Sequence, residues 1–188
     1  MKAIILASGS PRRSEILTHM GVAFEKQAAN VDEHCDLGAW EAVAELSRRK
    51  ALAVAAHFPG RVVLAADTLV ALENRPLGKP KDEEDACRML ERLSGREHQV
   101  YTGVCVVDAQ GRVMQAVDAS NVCFRAITED EIRAYVATGE PMDKAGAYAI
   151  QGGAGKWVTQ VRGSRSNVIG LPVCTVIRML EKAGIGVR

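Results

Sequence analysis

Residues 61–72, RVVLAADTLVAL, form a long apolar run in which only Arg61, Asp67 and Thr68 are polar. An almost continuous aliphatic run of this length is typical of a strand that is buried on both faces. Such a strand needs helices packed on each side of its sheet. The run therefore predicts the central strand of an α/β protein.

Helix and strand signals alternate along the rest of the chain. Strands are predicted at residues 2–7, at about 22–29, and at about 98–107 and 112–125. Helices are predicted to begin at Pro11, Asp82, Thr128 and Pro172, with another over about residues 40–58. Residues 143–171 are glycine-rich and are expected to contain short strands. No repeat or linker divides the chain, so we expect one domain over residues 1–188, built on a long mixed sheet.

Composition and charge exclude several classes of function. The formal net charge of +1 argues against a broad surface for nucleic acid or anionic membranes. There is no apolar segment of membrane length, and the N-terminal apolar run is too short for a signal peptide. The five cysteines are widely spaced and form no C-x-x-C pair, which favours reduced thiols. We therefore expect a cytoplasmic protein in which any phosphate binding is local.

The first candidate site is the segment SGSPRR at residues 8–13, where a strand turns into a helix. Arg12 and Arg13 would lie in the first helical turn, where each cation opposes the helix dipole at a cost of ~0.3–1 kcal/mol. An isolated pair of this kind usually faces solvent. Here a glycine turn with free N–H groups, a helix N-terminus and two guanidinium groups coincide, and each of them suits phosphate oxygens. The segment therefore predicts polyphosphate binding.

Acidic residues form the second candidate site. An ionised Asp67 inside the apolar run is costly unless it is paired or binds a metal. A salt-bridged aspartate at the end of a strand is the structural alternative, but the run continues to Leu72, which favours a functional role. Asp32 and Glu33 occupy a polar loop, and one of them could give a Mg²⁺ ion a second oxygen beside Asp67. Their spacing does not choose between the two.

Three more polar residues are candidates for binding. Lys79 projects from the turn Gly78-Lys79-Pro80, and Lys50 flanks an apolar helix stripe; a surface lysine is the usual explanation for each. The small residues of DKAGAYAIQG at 143–152 let a backbone approach a flat ligand, although a packed hairpin would share this composition. The amide of Gln151 could pair with the O4 and N3–H edge of uracil or thymine.

Together these segments resemble the Maf family of nucleotide pyrophosphatases. The matching stretches are LASGSPRR (6–13), VDE (31–33), RRKA (48–51), ADT (66–68), GKP (78–80), YTGV (101–104), DKAGAYAIQG (143–152) and NVIGLP (167–172). They follow the family's order and span nearly the whole chain, and DKAGAYAIQG and LASGSPRR are the most specific. The resemblance implies an elongated α/β fold of the Maf and ITPase kind, with a mixed sheet, flanking helices and a central cleft. It also implies a homodimer and a divalent cation, Mg²⁺ or Mn²⁺.

The resemblance further implies roles for nine residues. Asp67 matches the proton acceptor and, with Glu33, the metal ligands; Lys79 belongs with Asp67 to the catalytic set. The residues that match substrate-binding positions are Ser8, Arg12, Arg13, Lys50, Thr68 and Gln151, of which Arg12, Thr68 and Gln151 match specificity positions. The stretches ADT and AYAIQG resemble the branch that hydrolyses dTTP and UTP to the monophosphate and pyrophosphate. The segment GSRS at 163–166 departs from the pattern, which leaves its contact with substrate open.

Two other functions stay under consideration. Sugar-nucleotide nucleotidyltransferases also open with a strand, a glycine turn and an arginine, but here position 11 is proline and residues 21–30 contain no Pro-Lys pair. The non-enzymatic alternative is a nucleotide-binding regulator of cell division with incidental hydrolysis. The set of Asp67, Glu33 and Lys79 argues against it, because simple binding needs no base.

Overall fold

A mixed sheet of seven strands forms the centre of the molecule in the computed structural model, which describes residues 3–187. The strands are β1 (Ile4–Leu6), β2 (Phe24–Lys26), β3 (Val63–Leu72), β4 (Arg75–Leu77), β5 (Glu97–Val107), β6 (Val113–Phe124) and β7 (Val158–Arg162). Their order is β2-β1-β3-β5-β6-β7, and β4 pairs with β3 off this path. β1 runs parallel to β2 and β3, and the other pairs are antiparallel. The predicted α/β class with a mixed sheet is confirmed.

The described residues also contain six α-helices: α1 (Pro11–His19), α2 (Ala39–Ala55), α3 (Glu83–Leu93), α4 (Glu129–Val136), α5 (Arg165–Ile169) and α6 (Val173–Lys182). Asp82 caps α3 by accepting a hydrogen bond from the backbone N–H of Asp85 at 2.7 Å. Thr128 and Glu131 form the predicted capping box of α4. Polar residues next to α3 and α4 thus define where these two helices begin. None of the helices between residues 3 and 187 has the length and apolar character needed to cross a membrane.

Strand β3 is buried on both faces, in agreement with its apolar run. Val63 and Ala65 pack in a cluster with Ala51 of α2. Leu64 and Ala66 face the other way and pack in a cluster with residues of α1 and α6. Side chains alternate between the two faces of a strand, so the two polar residues that come next also point to opposite sides of the sheet.

Helix α2 lies in close contact with the sheet at Gly103. A Cβ atom on Gly103 would lie 2.1 Å from the carbonyl oxygen of Val43 in α2, so this position has no room for a side chain. Gly103 is also the residue that pairs with Asp67 in the register of β3 and β5. Two helical turns beyond Val43, α2 brings Lys50 over the same part of β3. Because Gly103 has no side chain, α2 can lie against the sheet beside Asp67.

A second apolar core lies at the other end of β3. Val70 and Leu72 belong to this core, together with residues of α3 and α4. Rings packed edge to face make up much of it: His98, Phe124, Tyr135, Tyr148 and Trp157. Asp67 and Thr68 stand between the two cores, at the point where β3 passes from one to the other.

The segment between α4 and α6 differs most from the prediction. The sequence predicts short strands across residues 143–171, but β7 is the only strand that the structure describes there. The other elements are α5 and 3₁₀ turns at Glu140–Asp143, Ala145–Ala147 and Gly153–Trp157. Residues 143–152 therefore do not form the hairpin that was the structural alternative for this motif. β2 is likewise shorter than the predicted 22–29.

Strand β4 is a further difference, because no strand was predicted there. It forms a hairpin with β3 through Glu73 and Asn74, which have φ angles of 51° and 63°. Two consecutive residues with positive φ are the geometry of a type I′ turn, in which a glycine usually follows asparagine. The turn lacks that glycine, so the sequence carries little signal for it.

Candidate active site

All nine polar residues to which the resemblance gives a role line one cavity of about 590 Å³, whereas Asp32, the alternative to Glu33, is not part of its lining. The nine are Ser8, Arg12, Arg13, Glu33, Lys50, Asp67, Thr68, Lys79 and Gln151. They come from α1, α2, β3 and four connecting segments, so only the folded chain brings them together. The volume is within the range of small-molecule sites. The structure supports a common site, while the role of each residue stays a prediction.

Lys50 joins two carboxylates of this cavity. Its Nζ lies 2.5 Å from Oδ1 of Asp67 and 2.7 Å from Oε1 of Glu33. Lys50 and Asp67 are only 9% and 8% exposed, whereas Glu33 is largely exposed. The hydrogen bond from Lys50 holds the pKa of Glu33 below its usual value. Lys50 is therefore not the solvent-reaching lysine that its helix stripe suggests, because its ammonium group neutralises a buried carboxylate.

The same two carboxylates could hold a divalent cation. Lys50 contacts one oxygen of each, and the second oxygen of each has no hydrogen-bond donor among residues 3–187. Within that range no group of three or more His, Cys, Asp or Glu side chains is arranged to hold a metal. Mg²⁺ commonly takes one or two carboxylates and fills its shell with water and substrate phosphates. Asp67 and Glu33 therefore fit a cation that shares its ligands with a bound phosphate.

Arg13 is fixed by three hydrogen bonds. Its Nε donates to the carbonyl oxygen of Gly170 at 2.9 Å, and Nη1 and Nη2 donate to the hydroxyl oxygens of Ser8 and Thr68, each at 3.1 Å. Burial lowers the pKa of this guanidinium, against the opposing effect of the nearby Asp67 carboxylate. These bonds tie α1 to β3 and to the end of α5. Arg13 thus contributes to the structure as well as to the cavity wall.

The hydroxyl of Thr68 is engaged within the protein. Its Oγ1 lies 2.9 Å from Oγ1 of Thr102, which donates to the carbonyl oxygen of Asn167 at 3.0 Å. Because Thr102 uses its one hydroxyl hydrogen on Asn167, Thr68 must donate its own hydrogen to Thr102. Thr68 then has none left for a ligand, and it accepts a bond from Arg13. Thr102 and Asn167 were in matching stretches of sequence but had no predicted role.

Two cations of the cavity are free. Arg12 and Lys79 line the cavity, and within the described part of the chain neither side chain forms a hydrogen bond or an ion pair. The backbone beside Lys79 is held in place, because the N–H of Gly146 donates to the carbonyl oxygen of Gly78 at 3.0 Å. The charged lining as a whole comprises five cations, Arg12, Arg13, Lys50, Lys79 and Lys144, and three carboxylates, Glu33, Asp67 and Asp143. This excess of positive charge favours a polyanionic ligand.

Another part of the cavity wall is mainly apolar. It includes Leu69, Val70, Val100, Tyr148, Ala149, Ile150, Val168 and Ile169. Gln151 follows this wall in the chain; it is exposed, and its amide has no hydrogen-bond partner among residues 3–187. An apolar wall with a free amide suits a flat heterocycle, and the cations suit its phosphates. The geometry therefore defines a site for a phosphorylated heterocyclic compound.

Residues 163–166 do not belong to the described lining of the cavity. Ser164 instead caps α5, since its hydroxyl accepts a hydrogen bond from the backbone N–H of Asn167 at 3.3 Å. The hydroxyl of Ser120 also accepts a bond from the N–H of Ser164 at 3.0 Å. The departure from the family pattern in this segment therefore falls outside the candidate site.

Comparison with known proteins identifies the family of this chain. The sequence matches the family described as Maf-like protein over residues 3–183, and the chain belongs to that family. The dTTP/UTP pyrophosphatase of Pelotomaculum thermopropionicum is 48% identical over 100% of both chains. The dTTP/UTP pyrophosphatase of Anaeromyxobacter dehalogenans is 50% identical over 96% of this chain and 94% of its own. The Staphylococcus aureus Ham1 protein shares the fold, with a TM-score of 0.57 and 16% identity over 96% of this chain and 99% of that one. The predicted family and fold are confirmed.

Proposed function

We propose that this protein is a nucleoside triphosphate pyrophosphatase that hydrolyses dTTP and UTP to the nucleoside monophosphate and pyrophosphate. The observation that carries the proposal is the meeting of a buried carboxylate, Asp67, with several cations in one cavity beside an apolar wall. Relatives named dTTP/UTP pyrophosphatase are about half identical to this protein over nearly its whole length, which supports the same activity.

The cations of the cavity bind the triphosphate. Arg12 and Lys79 are free to contact phosphate oxygens, and Arg13 is already oriented by Ser8 and Thr68. Orientation before binding reduces the entropy lost when the ligand binds. In reactions at phosphorus, positioning and charge compensation provide most of the rate enhancement. These side chains therefore hold the polyphosphate and stabilise the negative charge that collects on the leaving pyrophosphate.

Asp67 accepts the proton of the attacking water. Lys50 donates a hydrogen bond to one oxygen of this carboxylate, and the other oxygen accepts none from residues 3–187. A carboxylate is a weak base at neutral pH, so the water must be made more acidic. Asp67 and Glu33 would hold a divalent cation, Mg²⁺ or Mn²⁺, which when bound would supply that acidity and offset phosphate charge. The water oxygen bonds to the α-phosphorus, the bond to the bridging oxygen breaks, and pyrophosphate leaves.

Gln151 selects the base. Its free amide offers one donor and one acceptor to the O4 and N3–H edge that uracil and thymine share. Cytosine presents the reverse pattern, so an amide held in the orientation that suits uracil would be mismatched to it. Thr68 contributes indirectly, since it has no hydrogen to donate and orients Arg13 instead. The site therefore accepts pyrimidines with a uracil-type edge.

The predicted homodimer, the cytoplasmic location and the single domain over residues 1–188 are part of this proposal and rest on the sequence alone. A role restricted to binding in the control of cell division would not require a carboxylate such as Asp67 to be buried beside the phosphate-binding cations, because burial of a charge is costly. The enzymatic function is therefore the one that the arrangement favours.

The test is a measurement of pyrophosphate release from dTTP, UTP, CTP, ATP and GTP, with Mg²⁺, with Mn²⁺ and with a chelator in excess. We expect dTTP and UTP to be the fastest substrates, equal amounts of monophosphate and pyrophosphate, and no turnover with the chelator. Addition of a sugar 1-phosphate with UTP tests for a nucleotidyltransferase. Release of orthophosphate, formation of a sugar nucleotide, or a lack of pyrimidine turnover would reject the proposal.

A further inference from the structure

The turn that contains Gln151 is anchored at both ends by two residues that do not line the cavity. The hydroxyl of Tyr135 in α4 accepts a hydrogen bond from the backbone N–H of Ala149 at 3.3 Å and donates to Oε1 of Glu140 at 2.7 Å. The two carboxylate oxygens of Glu140 both accept from the backbone N–H of Gly153, each at 3.2 Å. Gln151 thus lies midway between two anchored amide groups.

The glycines next to Gln151 match this anchor in shape. A Cβ atom on Gly152 would lie 1.9 Å from Oε1 of Glu140, in the space that the carboxylate occupies. A Cβ atom on Gly153 would lie 3.1 Å from the ring of Tyr135. The absence of side chains at these two positions allows the close approach. The contact therefore depends on both the backbone of the turn and the two side chains that hold it.

Tyr135 is itself held rigidly. It is only 5% exposed, and its ring packs edge to face against Trp157, with centroids 5.0 Å apart. Burial, followed by the hydrogen bond to Glu140, raises the pKa of the Tyr135 hydroxyl above its usual range. The hydroxyl therefore keeps its proton and can donate to Glu140 at any physiological pH.

We propose that Tyr135 and Glu140 are positioning residues for base selection that act through Gln151. The inference rests on the proposed function, because it concerns the choice of base at the same site. A fixed backbone limits the positions that the Gln151 amide can take and removes the entropy cost of ordering the turn when a base binds. Neither residue touches the phosphate-binding part of the cavity, so their loss affects recognition of the base and leaves the reaction at phosphorus intact.

Three variants test the anchor in steps. Tyr135→Phe removes the hydroxyl and keeps the ring, Glu140→Ala removes the carboxylate, and Glu140→Gln retains one acceptor oxygen. The matched control is Glu129→Ala, an exposed acid that pairs with Arg133 in α4, the helix that carries Tyr135. For each protein we would measure kcat and KM for UTP and CTP, the melting temperature, and hydrogen exchange of the backbone amides of residues 149–153.

We expect Tyr135→Phe and Glu140→Ala to lower kcat/KM for UTP by roughly 5- to 30-fold, the size expected for one or two hydrogen bonds. The loss should lie in KM, with kcat within about twofold of wild type, and the ratio of UTP to CTP turnover should narrow. Hydrogen exchange should speed up within residues 149–153 only. Glu140→Gln should be intermediate, and Glu129→Ala should match the wild type.

The double variant Glu140→Ala/Gln151→Ala decides whether the effect passes through Gln151. We expect its UTP/CTP ratio to equal that of Gln151→Ala alone, because residues that act as a unit are not additive. Additive losses, an unchanged ratio in Glu140→Ala, or faster exchange across the whole protein would overturn the inference while the proposed function stands. A wild-type protein that releases no pyrophosphate from UTP would instead reject the proposed function and this base-selection role with it.

Discussion

Nζ of Lys50 lies 2.5 Å from Oδ1 of Asp67, and both side chains are almost completely buried. Helix α2 and strand β3 therefore meet through a charge pair inside the cavity as well as through apolar contacts. A buried carboxylate without such a partner would be strongly destabilising. Lys50 thus gives Asp67 a charged partner where the proposed reaction takes place.

The first prediction concerns Asp67→Asn. We expect kcat for UTP to fall by about two orders of magnitude or more, because the variant lacks the proton acceptor and a cation ligand. The melting temperature should stay close to that of the wild type, since Lys50 keeps its ion pair with Glu33, and asparagine, with nearly the same shape, can still accept a hydrogen bond from it. Asp36→Asn, at an exposed position, is the control. Pyrophosphate release at the wild-type rate by Asp67→Asn would contradict the assignment.

The second prediction separates Arg12 from Arg13. Arg12→Ala should lose kcat/KM and keep its stability, because Arg12 makes no bond to the described residues. Arg13→Ala should lose kcat/KM and also lose roughly 1–3 kcal/mol of unfolding free energy, because its partners, including Thr68, are left unpaired. Urea denaturation without ligand measures the difference. Equal losses of stability in the two variants would show that both arginines are structural.

The third prediction concerns Gln151→Ala. The wild type should prefer UTP to CTP, and the variant should narrow that preference by roughly tenfold, the size expected when hydrogen bonding to the base is lost. The change should come from weaker turnover of UTP, and the metal requirement should not change. Competitive turnover of both nucleotides at saturating Mg²⁺ is the measurement. An unchanged ratio would remove Gln151 as the residue that reads the base.

The fourth prediction concerns the pH dependence of stability. His98 is completely buried, and burial lowers its pKa to about 4. The unfolded chain binds this proton near pH 6.5, so between about pH 6.5 and 4 the unfolded state holds more protons than the folded state. The contribution of His98 therefore destabilises the fold by up to ~3 kcal/mol as the pH falls through that window, and it vanishes above it.

Urea unfolding of the wild type and of His98→Gln between pH 4 and 7.5 measures this contribution. We expect the variant to have a shallower dependence on pH, while His57→Gln, at an exposed position, should follow the wild type. The carboxylates contribute equally to the pH dependence of stability in all three proteins, so the difference between the curves measures the contribution of His98. Parallel curves for wild type and His98→Gln would contradict a buried neutral His98.

Elements with strong local signals were predictable from the sequence. The apolar run of β3 and the cap of α3 at Asp82 depend on neighbouring residues alone, and both are found in the structure. The turns between residues 140 and 157 depend on contacts across the chain, such as that between Glu140 and Gly153, thirteen positions apart. No local sequence pattern predicts such a contact. The hairpin turn at Glu73 and Asn74 also escaped prediction, since it lacks the usual glycine.

The residues of the site also divide into those that local sequence predicts and those that depend on distant contacts. Asp67 and Arg13 could be recognised because each is a charged residue in a locally unfavourable place, a buried strand and a helix N-terminus. The difference between Arg12 and Arg13 could not be predicted, because it depends on Gly170, 157 positions away from Arg13. Glu140 carried no signal, since it lies outside the cavity and its carboxylate contacts the Tyr135 hydroxyl and the backbone of the turn.

Because α2 packs closely against Gly103, the ion pair between Lys50 and Asp67 depends on a residue that has no functional group. A methyl group at this position would force the Val43 carbonyl outward by about 1 Å to reach normal contact distance. Lys50 would move with the helix and away from Asp67. In a saturation mutagenesis screen for activity, we therefore expect position 103 to be as intolerant as the two charged residues themselves. A screen for inactive variants would therefore assign Gly103 to the active site, although this residue contributes only backbone.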